Sequence, residues 1–304
     1  MQLNSTRASG LSVVMKAEKD SVSDGLWQFA EKHKTRVEQT LRNNLPLAPP
    51  QVETRFNEAV RYAVFPGGKR LRPLMTLLAA EMFGGRAEDV MHAAAAVELI
   101  HTSSLIFDDL PSMDDSDKRR GRLSLHKEFG EGLATLVAIG FLNHSYELVT
   151  RDFGSSQRSV DAVLEVVNCV GAAGMVGGQS LDLRLKEVAA CRVCSARIAG
   201  GVVNLKTSSL IRLALRLGAI LAGAKHADLE NLSRFAETLG QAYQISDDLI
   251  DLSEDGAEAG ATASPEQLRE KISKAKHLLA SSFAPSGARE CLAELVDFVA
   301  LRQA

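Results

Sequence analysis

The sequence has few cysteines, and they are scattered. Four cysteines in 304 residues are too few for the disulfide framework of a small secreted protein. Cys191 and Cys194 have Cys-x-x-Cys spacing, but no second pair follows at the spacing of a zinc finger. We interpret all four as reduced thiols, and we expect a cytoplasmic protein.

Long apolar runs are also missing. The N-terminal apolar run covers only residues 11–14, which is shorter than the apolar region of a signal peptide. The apolar stretch 93–107 is interrupted by Glu98 and His101, whereas a membrane helix needs about 20 apolar residues. We therefore expect buried helices and no membrane span.

The sequence has neither a strong net charge nor many residues that favour strands. The formal net charge is −3, so nothing draws the whole molecule toward nucleic acid, and an anionic ligand would need a local basic cluster. Only 8 prolines and 3 tyrosines occur, and long Ala/Leu/Val runs favour helix.

Apolar residues recur at three- and four-residue steps along most of the chain, which is typical of amphipathic helices. The segments predicted as helical are 24–45, 52–64, 71–83, 87–107, 125–150, 158–186, 195–222, 227–252 and 264–303. Sustained alternation and Asn-Gly or Asp-Gly hairpin turns are missing, so sheet is improbable. We predict an all-α fold, with one helical domain over residues 21–304 after a disordered extension over residues 1–20.

Acidic residues crowd the end of the apolar segment at 87–107. The five aspartates are Asp108, Asp109, Asp114, Asp115 and Asp117. Carboxylates this close repel one another unless a cation lies between them, and Mg²⁺ prefers such oxygen ligands. The alternative is a solvated acidic turn balanced by the Lys-Arg-Arg that follows. Buried helices rarely end in so many like charges without a ligand, so we favour a metal site.

A second acidic group, Asp247, Asp248 and Asp251, also follows an apolar helical segment. Steps of three and four residues put the three side chains on one side of a helix. Such a pattern is weak evidence alone, because it occurs by chance on surface helices. Two acidic clusters at the polar ends of apolar helices indicate two facing helices with metal ions between them.

A basic cluster follows the turn Gly67-Gly68 at the predicted start of a helix. Glycines let backbone approach a ligand, and a helix N-terminus favours an anion. Lys69, Arg70 and Arg72 add charge, and arginine can bind phosphate through two hydrogen bonds. A solvated basic rim is the other interpretation.

Seven motifs occur in the order seen in one enzyme family. They are Gly67-Gly68-Lys69-Arg70-Leu71-Arg72-Pro73, Glu98 with His101, Asp108-Asp109 with Asp114, Arg119-Arg120-Gly121-Arg122, Gly177-Gly178-Gln179 with Asp182, Lys206-Thr207, and Gln244 before Asp247-Asp248 and Asp251. Over residues 55–252 the chain resembles the trans-isoprenyl diphosphate synthases. Its first aspartate motif is similar to that of bacterial farnesyl and geranylgeranyl diphosphate synthases, and it looks closest to the geranylgeranyl enzymes.

This resemblance implies a single-domain helical bundle around a deep central cavity, usually a homodimer. It implies a Mg²⁺-dependent transferase that joins isopentenyl diphosphate to an allylic diphosphate: dimethylallyl, geranyl or farnesyl. Isopentenyl diphosphate would contact Lys69, Arg72, His101 and Arg120. Mg²⁺ would be held by Asp108, Asp109, Asp114, Asp247, Asp248 and Asp251. The allylic diphosphate or its cation would contact Arg119, Lys206, Thr207 and Gln244.

The resemblance also bears on product length. In the family, an aromatic residue at the fifth position before the first aspartate motif stops elongation early. Here Ser103 occupies that position and Ser104 follows it, so we expect geranylgeranyl diphosphate. Farnesyl diphosphate is the alternative, because the bulky side chain of Met82 or Phe141 could instead form the floor of the cavity, the surface that stops the growing prenyl chain.

Two other functions fit the resemblance less well. A non-catalytic subunit of a heteromeric synthase typically lacks one or both aspartate clusters, and both are present here. A terpene cyclase normally carries Asn and Ser or Glu in its second metal motif, where this chain has Asp247, Asp248 and Asp251.

The chain departs from the family after Asp251. Relatives usually carry a lysine in the next loop, but residues 252–265 contain no lysine or arginine. Either Lys271 or Lys274 takes its place, or the site closes less tightly. We expect the glycine- and alanine-rich segment 255–264 to be mobile, because it has little apolar surface to bury.

Overall fold

The computed structural model describes residues 24–49, 51, 55–187, 205–206, 208–255 and 263–301. Its α-helices are α1 (Asp24–Asn43), α2 (Arg55–Val64), α3 (Leu71–Met82), α4 (Met91–Asp109), α5 (Leu125–Phe129), α6 (Glu131–Arg151), α7 (Gln157–Val170), α8 (Met175–Glu187), α9 (Ser208–Ala222), α10 (His226–Asp255), α11 (Pro265–Ser282) and α12 (Gly287–Leu301). A 3₁₀ turn, Ala87–Val90, precedes α4. The predicted all-α fold is confirmed.

Three predicted helices are each two helices in the structure. Gly130, with φ 90°, separates α5 from α6, because this left-handed backbone region is open to glycine and interrupts a helix. The backbone becomes extended at Gly171 after α7 and at Phe283 after α11. Glycine or proline lies at each break, at Gly130, Gly171 and Pro285, but a reading based on hydrophobic spacing alone does not register these local signals.

The expectation that sheet is improbable was wrong for one short segment. Strands β1 (Lys118–Arg119) and β2 (Arg122–Leu123) form an antiparallel hairpin. Its two turn residues, Arg120 and Gly121, have φ of 53° and 75°, as a type I′ turn requires. Arginine is an unusual residue at the first of these positions, so the usual hairpin signal was missing.

The core is built around α4 and α9. Helix α4 packs along α6 and α3, and α9 packs against α3, α7 and α10. A Cβ atom on Gly218 of α9 would lie 2.1 Å from the carbonyl oxygen of Thr76 in α3, so this helix contact requires glycine. Ala93–Ala96 are at most 1% exposed. Helix α4 is thus a buried rod whose last residues are the first two aspartates.

Two helical stretches are long and apolar enough to cross a membrane by length and composition, Ala87–Asp109 and Gln157–Arg184. The most apolar window is 72% buried in the first stretch and 33% buried in the second. The first is therefore the core helix expected from the sequence. The second exposes an apolar face, which includes Leu164, 54% exposed.

Candidate active site

A basic pocket of about 250 Å³ forms where α3, α4, α10, α12 and the hairpin meet. It is lined by Gly68, Lys69, Arg70, Leu71, Arg72, Glu98, His101, Arg120, Tyr243 and Phe298. The structure thus brings together all four residues predicted to contact isopentenyl diphosphate. Tyr243 and Phe298 come from distant helices and were not identified from the sequence.

His101 is neutral in this pocket. Burial moves the pKa of His101 well below its ordinary value, and the charges of Arg72, Arg120 and Arg119 lower it further. Arg72 Nη1 lies 3.2 Å from His101 Nε2. Since an arginine can only donate, this contact assigns the ring proton to Nδ1. The positive charge of the pocket therefore comes from its lysine and arginines.

Arg70 has a structural role, which corrects the interpretation that it supplies charge for an anion together with its neighbours. Its Nε donates to Glu38 at 2.7 Å, Nη1 donates to Glu98 at 2.5 Å, and Nη2 donates to the Val64 carbonyl at 2.9 Å. Although burial opposes the charge, the two carboxylates hold the pKa of Arg70 above its ordinary value. Its donors are thus committed to the fold.

The first aspartate cluster lies among cations. Lys206 Nζ is 3.4 Å from Asp108 Oδ1 and 2.9 Å from Asp182 Oδ2. Asp114 donates its backbone N–H to the Asp108 carbonyl at 2.9 Å, which folds the loop back onto the end of α4. Burial raises the pKa of Asp108; Lys206 opposes this shift and Asp114 adds to it.

Asp109 is paired with Arg119 from strand β1. The carboxylate is almost fully buried, and Asp109 raises the pKa of Arg119 above its ordinary value through this hydrogen bond. The next residue, Arg120, lines the basic pocket. Two adjacent residues of the hairpin therefore reach different parts of the site. Arg119 pairs with the aspartate cluster, and Arg120 lines the basic pocket.

The second aspartate cluster lies on α10, which also reaches the basic pocket through Tyr243. Gln244 donates from Nε2 to Asp248 Oδ1 at 2.9 Å. The side chain of Asp251, all of Thr207, and residues 256–262 lie outside the described part of the chain. The predictions for Asp251, Thr207 and the lysine-free loop therefore remain predictions.

The family model described as "Polyprenyl synthetase" matches residues 53–274. The chain belongs to the polyprenyl synthetase family. It is 39% identical over 240 residues to "Geranylgeranyl pyrophosphate synthase 11, chloroplastic" of Arabidopsis thaliana, covering 78% of this chain and 66% of that protein. It is 37% identical over 256 residues to "Geranylgeranyl pyrophosphate synthase, chloroplastic" of Catharanthus roseus, covering 80% and 69%.

Solved structures agree with this family. A crystal structure described as an FPP/GFPP synthase from Zymomonas mobilis superposes with a TM-score of 0.80 at 27% identity, covering 90% of this chain and 98% of that chain. A geranyltransferase from Legionella pneumophila gives a TM-score of 0.79 at 28% identity, covering 90% and 96%. The chain spans 63–66% of the length of the first three curated relatives.

The donor set of this polyprenyl synthetase fits the Mg²⁺ that its resemblance implies. The candidate ligands are carboxylates, which are hard oxygen donors. The raised pKa of Asp108 reflects burial and the nearby charge of Asp114, and a bound cation would relieve both. Within the described residues, no three candidate ligands are already gathered around one point. Lys206 and Arg119 pair with the first-cluster carboxylates instead.

Ser103 and Ser104 differ in their surroundings. Ser104 lies about 40° around α4 from Asp108 and Ser103 about 140°. Ser104 is half-buried and donates to the His101 carbonyl at 2.8 Å. Ser103 is fully buried and donates to the Ala138 carbonyl of α6 at 2.9 Å. Ser104 thus shares the side of Asp108, and Ser103 faces the seam with α6.

Two residues, Arg122 and Tyr62, fix the position of the hairpin, a role that was not predicted from the sequence. Arg122 Nη1 donates to the Phe65 carbonyl at 2.9 Å, and its guanidinium lies 3.6 Å from the Tyr62 ring centroid. The Tyr62 hydroxyl donates to the Leu123 carbonyl at 3.0 Å. These contacts fix the strands on either side of the turn that carries Arg120.

Proposed function

We propose that this protein is a Mg²⁺-dependent prenyltransferase that condenses isopentenyl diphosphate with an allylic diphosphate. The observation that carries the proposal is that two adjacent hairpin residues, Arg119 and Arg120, connect an aspartate cluster to a basic pocket. One arginine pairs with Asp109 and the other lines the pocket. The family and the names of the relatives support this activity.

Isopentenyl diphosphate would occupy the basic pocket. Lys69, Arg72 and Arg120 offer positive charge to its diphosphate, and arginine suits phosphate oxygens geometrically. Neutral His101 accepts from Arg72 Nη1 at 3.2 Å and adds no charge of its own. Three cations side by side repel one another, so a bound diphosphate would relieve that repulsion.

The allylic diphosphate would lie at the aspartate clusters. Mg²⁺ held by Asp108, Asp109, Asp114, Asp247, Asp248 and Asp251 would stabilise the negative charge that develops on the leaving diphosphate. Lys206 and Arg119 already lie beside this cluster and would contact the same oxygens. Gln244 would offer its uncharged amide oxygen to the developing cation without reacting with it, and the resemblance assigns the same role to Thr207.

The reaction then balances without a protein nucleophile. The allylic C–O bond breaks and its electron pair leaves with the diphosphate. The double bond of isopentenyl diphosphate forms the new C–C bond to the allylic carbon. A proton is lost from the adjacent carbon to the departing diphosphate, and a new double bond remains.

We propose geranylgeranyl diphosphate as the product, because small serines occupy positions 103 and 104 and the curated relatives carry that name. Farnesyl diphosphate is the second candidate. Of the two bulky residues considered as floors, Phe141 is fully buried in α6 and Met82 packs against the core. The presence of both aspartate clusters disfavours a non-catalytic subunit.

We also propose a cytoplasmic homodimer. Leu136 and Ile139 on α6 are 58% and 52% exposed, and three α7 residues, Val160, Leu164 and Val167, are 47–54% exposed. Their helical spacing makes one apolar stripe on each helix, and such patches mark association surfaces. Light scattering should give twice the chain mass for wild type and a smaller mass for Ile139→Glu; a monomeric wild type would contradict the dimer.

Release of inorganic diphosphate tests the activity. It should require the allylic diphosphate, isopentenyl diphosphate and Mg²⁺ together, and it should stop with EDTA. Release from the allylic substrate alone would favour a terpene cyclase or a hydrolase. No release under any combination would support the non-catalytic alternative.

A further inference from the structure

The C-terminal helix supplies one wall of the basic pocket. Phe298 of α12 lines the pocket and is 2% exposed, and its ring centroid lies 4.6 Å from Lys69 Nζ. Helix α12 lies outside the region matched by the family model, residues 53–274. The motifs that identify the family therefore assign no role to this residue.

The Phe298 ring is fixed from its other side. Trp27 of α1 packs edge-on against it, with centroids 5.4 Å apart and ring planes at 87°. Helix α12 also packs against α1, α3, α10 and α11. Both the edge contact and the helix packing restrict the ring, so it presents a stable surface to the lysine.

The position of the Lys69 ammonium beside two arginines is electrostatically unfavourable. Repulsion from Arg72 and Arg120 and the freedom of four side-chain torsions both favour swinging the ammonium away. The face of an aromatic ring attracts an ammonium without neutralising it. The ring therefore helps to hold Lys69 Nζ at the pocket, and this contact does not remove the charge of the lysine.

We propose that Phe298 is a positioning residue for diphosphate binding: it holds the Lys69 ammonium at the place where the diphosphate of isopentenyl diphosphate binds. This inference rests on the proposed function, and it adds α12 and, through Trp27, α1 to the substrate site. Phe298 itself makes no contact that the chemistry requires.

Steady-state kinetics of Phe298→Leu and Phe298→Tyr test the inference. Leucine keeps an apolar side chain but removes the ring, whereas tyrosine keeps the ring. Phe298→Leu should raise KM for isopentenyl diphosphate about twofold to thirtyfold, with kcat and the allylic KM unchanged, and Phe298→Tyr should stay near wild type. Equal changes in all three parameters, or the same loss with tyrosine, would overturn the positioning role.

Adding the same substitution to a Lys69→Met variant tests whether Phe298 acts on substrate binding through Lys69. In Lys69→Met, adding Phe298→Leu should change KM for isopentenyl diphosphate no further. The same fold-change as in wild type would show that Phe298 acts independently of the lysine, and would overturn the inference. The matched control is Phe283→Leu, since Phe283 is also buried with an edge-on aromatic partner, Phe83, and it should leave KM unchanged.

Calorimetry with inorganic diphosphate separates this inference from the proposed activity. An inactive wild type would overturn the proposed function. The pocket can still be measured: Phe298→Leu should bind inorganic diphosphate about twofold to thirtyfold more weakly than wild type, and Lys69→Met should be insensitive to the second substitution. Equal binding by wild type and Phe298→Leu, or no binding by either, would overturn the inference.

Discussion

Arg70 and Glu98 form a buried ion pair between the start of α3 and the middle of α4, with 2.5 Å between Nη1 and Oε1. Their side chains are 1% and 3% exposed. Lys69, the preceding residue, faces the pocket and the Phe298 ring. Two adjacent cations therefore have separate roles, one in the fold and one at the candidate substrate site.

Substitution of these neighbours should separate stability from binding. Arg70→Met leaves Glu98 buried without its cation, so the free energy of unfolding should fall by about 3–5 kcal/mol. Lys69→Met should change it by less than about 0.5 kcal/mol and should raise KM for isopentenyl diphosphate more than the allylic KM. Urea denaturation and steady-state kinetics measure the two effects. An Arg70→Met protein with unchanged stability and a raised KM for isopentenyl diphosphate would show that Arg70 binds substrate and would contradict its structural role.

The two aspartate clusters should be essential for turnover and dispensable for folding. Asp108→Ala or Asp247→Ala should lower kcat at least about a hundredfold, because each removes a proposed Mg²⁺ ligand. Far-UV circular dichroism should be unchanged, since losing an acidic neighbour relieves repulsion. Asp117→Ala is the control, because that side chain is 77% exposed. Full activity of Asp108→Ala or of Asp247→Ala in Mg²⁺ would exclude the substituted aspartate as a Mg²⁺ ligand.

The fold class could be predicted from the sequence, because helical periodicity is a local feature, and local motifs also nominated the four residues that line the basic pocket together. Phe298 could not, since it reaches the pocket only through the packing of α12. The prediction that Arg70 supplies charge to an anion was wrong, because the sequence does not show that its N–H groups donate to Glu38 and Glu98 in the folded protein. The Arg120 turn lacks the Asn-Gly or Asp-Gly signal.

His101 should make stability depend on pH. Its pKa in the folded protein lies well below the ordinary value of 6.5 because of burial, so the unfolded chain binds the extra proton first. Its contribution is fully present above about pH 6.5 and is lost as pH falls toward the folded pKa. The fall in Tm between pH 7.5 and 5.5, measured without Mg²⁺ or substrates, should shrink in His101→Gln.

The matched control for this experiment is His226→Gln, because the His226 side chain is 88% exposed. This variant should keep the pH dependence of wild type. An equal fall in Tm for His101→Gln and wild type would mean that the pKa of His101 is the same in the folded and the unfolded protein.

Product length should respond to the α4 serines. Ser103 is fully buried against the Ala138 carbonyl of α6 at 2.9 Å, and in the family that the chain resembles a bulky residue at this position stops elongation early. Ser103→Phe should therefore shift the product toward fifteen carbons, and Ser103→Thr, which keeps the hydroxyl, should not. An unchanged product distribution in a folded Ser103→Phe protein would place the floor elsewhere.

We propose that this chain elongates an allylic diphosphate with isopentenyl diphosphate. Mass spectrometry of the product made by the purified wild-type protein from isopentenyl diphosphate and farnesyl diphosphate in Mg²⁺ tests it most directly. We expect a twenty-carbon prenyl diphosphate, formed only when both substrates are present. Recovery of the substrates unchanged with farnesyl, geranyl and dimethylallyl diphosphate in turn, with the protein folded and Mg²⁺ in excess, would contradict it.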